Sequence, residues 1–240
     1  MHKLEELKNI FHLRPGSDAP RFVIYTPELS PRLEYVCGFI FTHVLRVHHR
    51  LSTNAADLQA TNVYAVNYSQ HDIPGAYRIR PHKLLYETGV TARAPEPFFA
   101  DGQLYLCHNV EGASGLHFDL FSAVFYFISR MEEWQDHEKD LHGRFEAQAS
   151  LLFRHRLHLK PVVDQWICAF GLGLRRLYPE LKLPSRMFKV ISTIDVDYLY
   201  AYRNKGFIRT LGGAARDLMR GDIGGVAERA AVVCSLRHDP

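Results

Sequence analysis

An apolar strand joined to a well-marked helix constrains the fold of this chain more than any other feature of its sequence. The strand runs over Arg21–Tyr25. Ser30 and Pro31 then supply an N-cap and a first helical position, because a serine oxygen accepts a backbone N–H and proline has no N–H to leave unpaired there. The helix carries one apolar stripe, formed by Leu33, Val36, Phe39, Ile40 and Val44. This combination predicts an α/β unit.

The following part of the chain predicts a sheet with irregular loops. Short β-rich runs at residues 63–68, 76–79 and 104–107 are separated by Pro, Gly and Asn turns. Asp119 then caps a strongly periodic helix that extends to Trp134. These elements predict a mixed-sheet α/β domain at the N-terminal end.

A domain boundary is predicted after a second long helix. That helix spans residues 162–177 and is stopped by Pro179, and residues 179–184 form a connector. The next segment, MFKVISTIDVD, is an apolar β-rich run that ends in two acids, and two helices follow at 207–220 and about 226–234. We therefore predict an N-terminal domain over residues 1–184 and a second domain over residues 185–240.

The overall composition is that of a globular protein without a strong electrostatic preference for a partner. The 240 residues are 47% hydrophobic and 23% charged, and the net charge is +3, which favours neither a nucleic acid nor a membrane surface as partner. The longest apolar run, 121–129, is less than half a bilayer span, and the N-terminus lacks the apolar stretch of a secretion signal. Four scattered cysteines predict reduced thiols. These features predict a cytoplasmic protein without a membrane span.

Asp195 and Asp197 are the most informative residues for function. They lie two positions apart at the end of the predicted strand, so an extended backbone directs both carboxylates to one side. Two adjacent carboxylates repel each other unless a cation lies between them or one stays protonated, which favours a divalent metal or a base beside a metal ligand. A turn in which one aspartate acts as a cap and the other faces solvent also fits this pattern.

The histidines do not supply an obvious metal site. His137 and His142 flank a polar loop, and His48 and His49 lie in a predicted strand, where they point to opposite faces. Solvated or hydrogen-bonding roles are favoured for the loop histidines.

Thr193, Asp195 and Asp197 resemble the first motif of the NodB-type polysaccharide deacetylases, carbohydrate esterase family 4, in which a strand ends in Thr-x-Asp-Asp or Thr-x-Asp-x-Asp. The resemblance implies that Asp195 is the general base and that Asp197 is a metal ligand. It also implies a divalent metal, zinc above all, completed by two histidines of a later His-x-x-x-His motif, and a glycan substrate that loses N-acetyl groups.

The resemblance extends over most of the chain. The segments IYTPELSPRLEYVCGFIF, FSAVFYFISRMEEW, KPVVDQWI and TIDVDYLYAYRNKGFIRTLGG are similar to bacterial proteins in which an uncharacterised domain precedes such a deacetylase domain. The second domain is thus expected to be the first strand and helices of a (β/α) barrel-like fold. A domain of this kind needs roughly 150 to 200 residues, whereas 43 residues follow Asp197 and His238 is the only histidine among them. We therefore expect a truncated deacetylase domain that is inactive as this fragment.

Two other functions remain open at this point. A metal-dependent glycosyltransferase also uses an apolar strand that ends in Asp-x-Asp, but it requires a nucleotide-binding βαβ half, and residues 47–107 do not predict one clearly. The other hypothesis is non-catalytic, and in it the residues up to about Leu183 form a glycan-binding or scaffolding domain.

Overall fold

The computed structural model describes residues 15–90, 94–100, 102–109, 116–185, 190, 192–193, 195 and 200–239. The chain forms two compact units, one that ends at Arg186 and one that begins at Met187. The first unit contains the β-sheet and the second contains two helices.

The first unit is built on a four-stranded parallel sheet. In spatial order the strands are β2, β1, β3 and β4. Their bounds are Arg21–Tyr25 for β1, His48–Ser52 for β2, Tyr64–Asn67 for β3 and Tyr77–Arg78 for β4. Ile24 in the central strand is fully buried and pairs with Leu51 on one side and Val66 on the other. Such continuous burial is typical of parallel sheets that are covered on both faces.

The helix predicted after β1 forms, but its second half is a π-helix. Helix α1 spans Pro31–Cys37, and the N–H of Leu33 donates to the Ser30 hydroxyl over 3.1 Å, which confirms the predicted N-cap. The chain continues as a π-helix over Gly38–Val44, where the Leu45 N–H donates to the Ile40 carbonyl five residues earlier. This helical segment connects β1 to β2 as the crossover of a βαβ unit.

An antiparallel ribbon and four further helices complete the first unit. The ribbon pairs β5 with β6 and is separate from the main sheet. The bounds are Phe98–Ala100 for β5, Gln103–Tyr105 for β6, Leu120–Ile128 for α2, Met131–Trp134 for α3, Leu151–Arg154 for α4 and Val162–Leu177 for α5. Short 3-10 helices occur at Ala55–Gln59, Lys83–Leu85 and Ala147–Ala149.

The single helix predicted from Asp119 to Trp134 is wrong, because the helix breaks between α2 and α3. Arg130 has a φ of 54°, in the left-handed region, and ends the regular backbone pattern. The Ser129 hydroxyl donates to the Phe125 carbonyl and satisfies one of the acceptors at the end of α2. A periodic apolar pattern continues across the break, so periodicity alone does not reveal it.

Aromatic rings fill the space between the sheet and α2 and α5. The ring of Phe41 lies 6.1 Å from that of Phe121 and 5.9 Å from that of Phe170. The indole N–H of Trp166 donates to the Leu104 carbonyl over 3.0 Å, so the one polar atom of this buried side chain is satisfied. These contacts fix α5 against β6 and the core.

The described part of the second unit forms two helices with little buried surface. Helix α6 spans Phe207–Met219 and helix α7 spans Ile223–Val233. Asp217 of α6 accepts from the guanidinium of Arg229 of α7 over 2.6 Å, and the same guanidinium lies 4.7 Å from the centre of the Tyr202 ring. The strand predicted over residues 187–197 falls largely outside the described residues, and the described members of that segment are not in a strand.

The α/β class is confirmed, with one correction. The main sheet is parallel throughout and not mixed, since the antiparallel pair forms its own ribbon. Residues 47–107, which did not clearly predict a βαβ half, contribute three of the four parallel strands. Among the described helices none is both long and apolar enough to span a membrane.

Candidate functional site

The acidic pair predicted from the sequence is only partly within the described structure. Asp195 and Thr193 are both exposed to solvent. Asp195 forms no hydrogen bond or ion pair with any other described residue. Asp197, the predicted metal ligand, lies outside the described residues. The structure therefore places the predicted base at an accessible position and leaves the pairing of the two acids as a prediction.

The described residues do not by themselves form a zinc site. They contain no group of three or more His, Cys, Asp or Glu side chains that could hold a metal ion, whereas a catalytic zinc usually takes three protein ligands. Nδ1 of His137 lies 2.7 Å from the Gln135 carbonyl, and Nε2 of His48 lies 3.0 Å from the Gly16 carbonyl. The first of these contacts agrees with the solvated or hydrogen-bonding role predicted for His137.

A buried carboxylate that the sequence identifies only as a helix cap forms the most elaborate polar centre of the first unit. Oδ2 of Asp119 accepts from the hydroxyl of Tyr68 over 2.7 Å, from the backbone N–H of His82 over 2.7 Å and from the hydroxyl of Ser122 over 2.6 Å. Oδ1 accepts the N–H groups of Phe121 and Ser122, as predicted for an N-cap. Five donors thus solvate one carboxyl group that has no exposed surface.

This centre lies where two central strands end. Tyr68 follows β3 directly, and its ring stacks 6.2 Å from that of Tyr86. The hydroxyl of Tyr86 is hydrogen-bonded over 2.9 Å to Thr26, which follows β1. The carboxyl ends of parallel strands are where α/β folds usually bind ligands, above all where the strand order reverses, as it does here between β1 and β3. In this protein the two tyrosine rings occupy that position.

Burial dominates the electrostatics of this centre. It raises the pKa of Asp119 above its ordinary value of 3.8, against the opposing effect of the hydrogen bonds from Ser122, His82 and Tyr68. Burial, followed by the charge of Asp119, raises the pKa of Tyr68 well above its ordinary value. The same two causes raise the pKa of the Cys37 thiol. Because Asp119 is fully buried, substrate does not reach it, and its role is to tie α2 to residues 68 and 82.

The sequence could not identify this centre because its donors are distant along the chain. Tyr68 and His82 precede Asp119 by 51 and 37 residues. A cap is recognised from neighbouring residues, but a shared hydrogen-bond acceptor depends on the tertiary fold. The available signal was a single aspartate before an apolar helix, which indicates a cap and no more.

The thiols are free, as predicted. Cys37 and Cys107 are buried, and Cys168 and Cys234 are exposed. Burial also raises the pKa of the Cys107 thiol. The two buried thiols are therefore protonated and unreactive at neutral pH.

Comparison with known proteins identifies one family. A family model described as "Family of unknown function (DUF7033)" matches residues 22–179, the span that contains the parallel sheet and helices α1 to α5. No curated protein and no solved structure matches the chain. Because the matched residues make up more than half of the 240, the chain belongs to the DUF7033 family.

Proposed function

We propose that the first unit is an accessory domain and that the residues from 187 onward begin a metal-dependent polysaccharide deacetylase domain, which removes acetyl groups from an N-acetylated glycan. The proposal is based on the resemblance of Thr193, Asp195 and Asp197 to the first motif of the deacetylase family. It assigns the role of general base to Asp195 and the role of metal ligand to Asp197. The remaining ligands, a His-x-x-x-His pair, would come from sequence beyond residue 240.

The exposed apolar face of the second unit is the observation that carries this proposal. Helix α6 has no buried residue. The side chains of Phe207, Ile208 and Met219 are 79%, 86% and 82% exposed. Amphipathic helices of globular proteins bury their apolar stripe against a neighbouring element, and a large exposed patch of this kind marks an interaction surface. In a (β/α) barrel the next strands and helices cover such a face.

The exposed position of Asp195 suits its proposed role. A general base must come within hydrogen-bond distance of the attacking water, and no described residue blocks or pairs with this carboxylate. The base accepts one proton from the water as the water oxygen attacks the acetyl carbonyl carbon. The C–N bond then breaks as the nitrogen takes up that proton, and the products are the free amine and acetic acid, which ionises to acetate. The chemistry also needs a completed metal site, which the described residues do not provide.

A nucleotide-sugar transferase is the second candidate, and the parallel sheet is the observation that favours it. The βαβ unit of β1, α1 and β2 has the topology of a mononucleotide-binding half. However, the loop after β1 reads Thr-Pro-Glu-Leu-Ser and contains no glycine to let a diphosphate approach the backbone. Glu28 in that loop would also repel phosphate. We therefore prefer the deacetylase assignment.

The proposal is tested with the natural gene product that contains these residues. Its reading frame beyond codon 240 is expected to encode a His-x-x-x-His segment, and the purified protein is expected to contain zinc and to release acetate from N-acetylglucosamine oligomers. Asp195→Asn is expected to lower the rate by about 10²- to 10⁴-fold with zinc retained, because only the proton acceptor is lost. Asp197→Asn is expected to lower both zinc content and rate.

Asp136→Asn is the matched control, because Asp136 is an exposed aspartate of the first unit. Its activity should equal that of the unmodified protein. Full activity in Asp195→Asn, or a gene product without paired histidines and without zinc, would exclude the deacetylase assignment.

A further inference from the structure

A cleft at the edge of the parallel sheet has the features of a small-molecule site. It lies between the edge strand β4 and helix α5 and has a volume of about 530 Å³. Ligand pockets in proteins usually have volumes of about 300 to 1,000 Å³. The lining combines leucine and alanine side chains with Tyr77, with two arginines, Arg78 and Arg176, and with one aspartate, Asp72.

The hydroxyl of Tyr77 is the polar tip of an otherwise buried side chain that lines this cleft. The side chain is 3% exposed, and its ring lies 5.2 Å from that of Phe170. The hydroxyl lies against Gly173, another residue of the lining, so closely that a Cβ there would be 2.6 Å away. Within the described residues this hydroxyl forms no hydrogen bond. A hydroxyl that lines a cleft in this way can donate to an acceptor of a bound ligand.

The charges around the cleft favour an anion. Arg176 is exposed, lines the cleft and forms no ion pair with the described residues. Arg78 is buried and forms an ion pair with Asp72, which is itself in the lining. The lining therefore holds two guanidinium groups and one carboxylate. Burial raises the pKa of Tyr77 to about 12, with the charge of Arg176 acting in the opposite direction, so the hydroxyl keeps its proton and can donate it.

We propose that this cleft binds a small anion in which a carboxylate or phosphate group is attached to an apolar body. Arg176 binds the anionic oxygens, because a guanidinium matches both groups in geometry and charge. Tyr77 donates its hydroxyl to one of those oxygens. Leu172 and Leu177, which are both exposed, cover the apolar part. This binding function belongs to the first unit and does not depend on the deacetylase assignment.

Binding is measured on the full 240-residue chain by titration calorimetry with four probes. They are 3-phenylpropionate, phenyl phosphate, the neutral alcohol 3-phenylpropanol and inorganic phosphate. We expect the better of the two aromatic anions to bind at least about tenfold more tightly than the alcohol, because the alcohol lacks the charge-assisted hydrogen bond. It should also bind more tightly than inorganic phosphate, which lacks the apolar body. The order of the carboxylate and the phosphate identifies the preferred anionic group.

Two substitutions test the assigned contacts. Arg176→Gln should weaken binding of the preferred anion about tenfold, and Tyr77→Phe should weaken it about fivefold. Because the Tyr77 hydroxyl forms no hydrogen bond within the described part of the chain, Tyr77→Phe should leave the melting temperature unchanged, which separates ligand binding from a structural role.

Arg175→Gln is the matched control. Arg175 and Arg176 both lie in the last turn of α5, where a cation complements the helix dipole, but Arg175 does not line this cleft. Binding to Arg175→Gln should stay within about twofold of the unmodified chain. The proposal fails if none of the probes binds, if the alcohol binds as tightly as both aromatic anions, or if Arg175→Gln weakens binding as much as Arg176→Gln.

Discussion

The two units of this chain differ most in what they do with their apolar side chains. In the first unit, α2 buries seven of its nine residues, and the rings of Phe41, Phe121 and Phe170 contact one another. In the second unit, α6 carries an apolar stripe but buries none of its thirteen residues. An apolar stripe therefore establishes that a helix needs a partner, and the tertiary structure shows whether that partner is present.

The contrast also separates two kinds of evidence for function. The first unit has a complete core, so its polar features, such as the cleft at β4, can be interpreted as they stand. The second unit carries the motif that resembles a known chemistry but exposes the surface on which that chemistry would be assembled. The unit with the clearer chemical motif thus has the less complete packing.

Two phenylalanine-to-alanine substitutions test this contrast directly, and the first of them has the largest expected effect. Phe121 has no exposed surface and its ring contacts those of Phe41, Tyr68 and Phe170. Phe121→Ala should lower the free energy of unfolding by about 3 to 5 kcal/mol, because it removes buried apolar surface and leaves a cavity. The measurement is urea unfolding followed by tryptophan fluorescence, since both tryptophans lie in the first unit.

Phe207→Ala is the counterpart in the second unit. Phe207 is mostly exposed, so the substitution should change the unfolding free energy by no more than about 0.5 kcal/mol. Helical content followed by circular dichroism reports on the second unit, which lacks a tryptophan. A loss of more than about 2 kcal/mol in Phe207→Ala would show that α6 is packed in solution and would remove the main support for the proposed deacetylase domain.

Local features of the first unit could be predicted from the sequence because they depend on neighbouring residues. The Ser30 and Asp119 caps, the strand after Arg21 and the bounds of α5 are set by short-range hydrogen bonds and by apolar periodicity. The π-helix and the break at Arg130 were not predicted, because tertiary packing selects them over the regular helix that the same pattern allows.

Strand order and the cleft at β4 could not be predicted from the sequence for a related reason. The parallel order β2-β1-β3-β4 depends on which strands meet after the chain has crossed over, and short strands of two to five residues carry little pattern of their own. Likewise, the hydroxyl of Tyr77 is distinguished from other tyrosines only by its position against Gly173. The motif at Asp195 could be recognised because it is a local sequence pattern. The residues that would complete a metal site with it are not local to it.

The next expected effect concerns Asp119, whose buried carboxyl group contrasts with the exposed one of Asp195. Burial makes the pKa of Asp119 higher in the folded chain than its ordinary value of 3.8. A carboxyl group of this kind binds its proton more readily when folded. Its stabilising contribution is therefore complete below pH 3.8 and declines as the pH rises through the folded pKa.

Asp119→Asn should thus cost most in acid and less toward neutral pH. We expect a loss of about 3 kcal/mol at the acidic end, because both oxygens of a protonated carboxyl group can still accept hydrogen bonds, whereas the nitrogen of an amide cannot accept those that Oδ2 receives. Urea unfolding at several pH values checks this, with Asp195→Asn as a control that should show no such trend. A cost that grows as the pH rises would mean that burial does not set the pKa of Asp119.

The smallest expected effect comes from comparing a glycine in α5 of the first unit with a glycine in α6 of the second unit. At Gly173 in α5, a Cβ would lie 2.6 Å from the hydroxyl and 2.9 Å from Cε2 of Tyr77, so the ring would have to move. At Gly212 in α6, a Cβ would meet no atom within 4 Å. Gly173→Ala should therefore destabilise the first unit by about 1 to 2 kcal/mol despite the better helix propensity of alanine, because the close contact costs more than the propensity gains.

Gly212→Ala should instead stabilise α6 by up to about 1 kcal/mol, since alanine loses less backbone entropy in a helix and nothing obstructs its methyl group. Thermal unfolding followed by circular dichroism measures both variants. The same substitution in the natural gene product tests the proposed domain further. If it lowers the melting temperature there, residues outside this chain pack against α6. A deacetylase barrel requires such packing, because Gly212 faces open space and the apolar face of α6 is exposed in this chain.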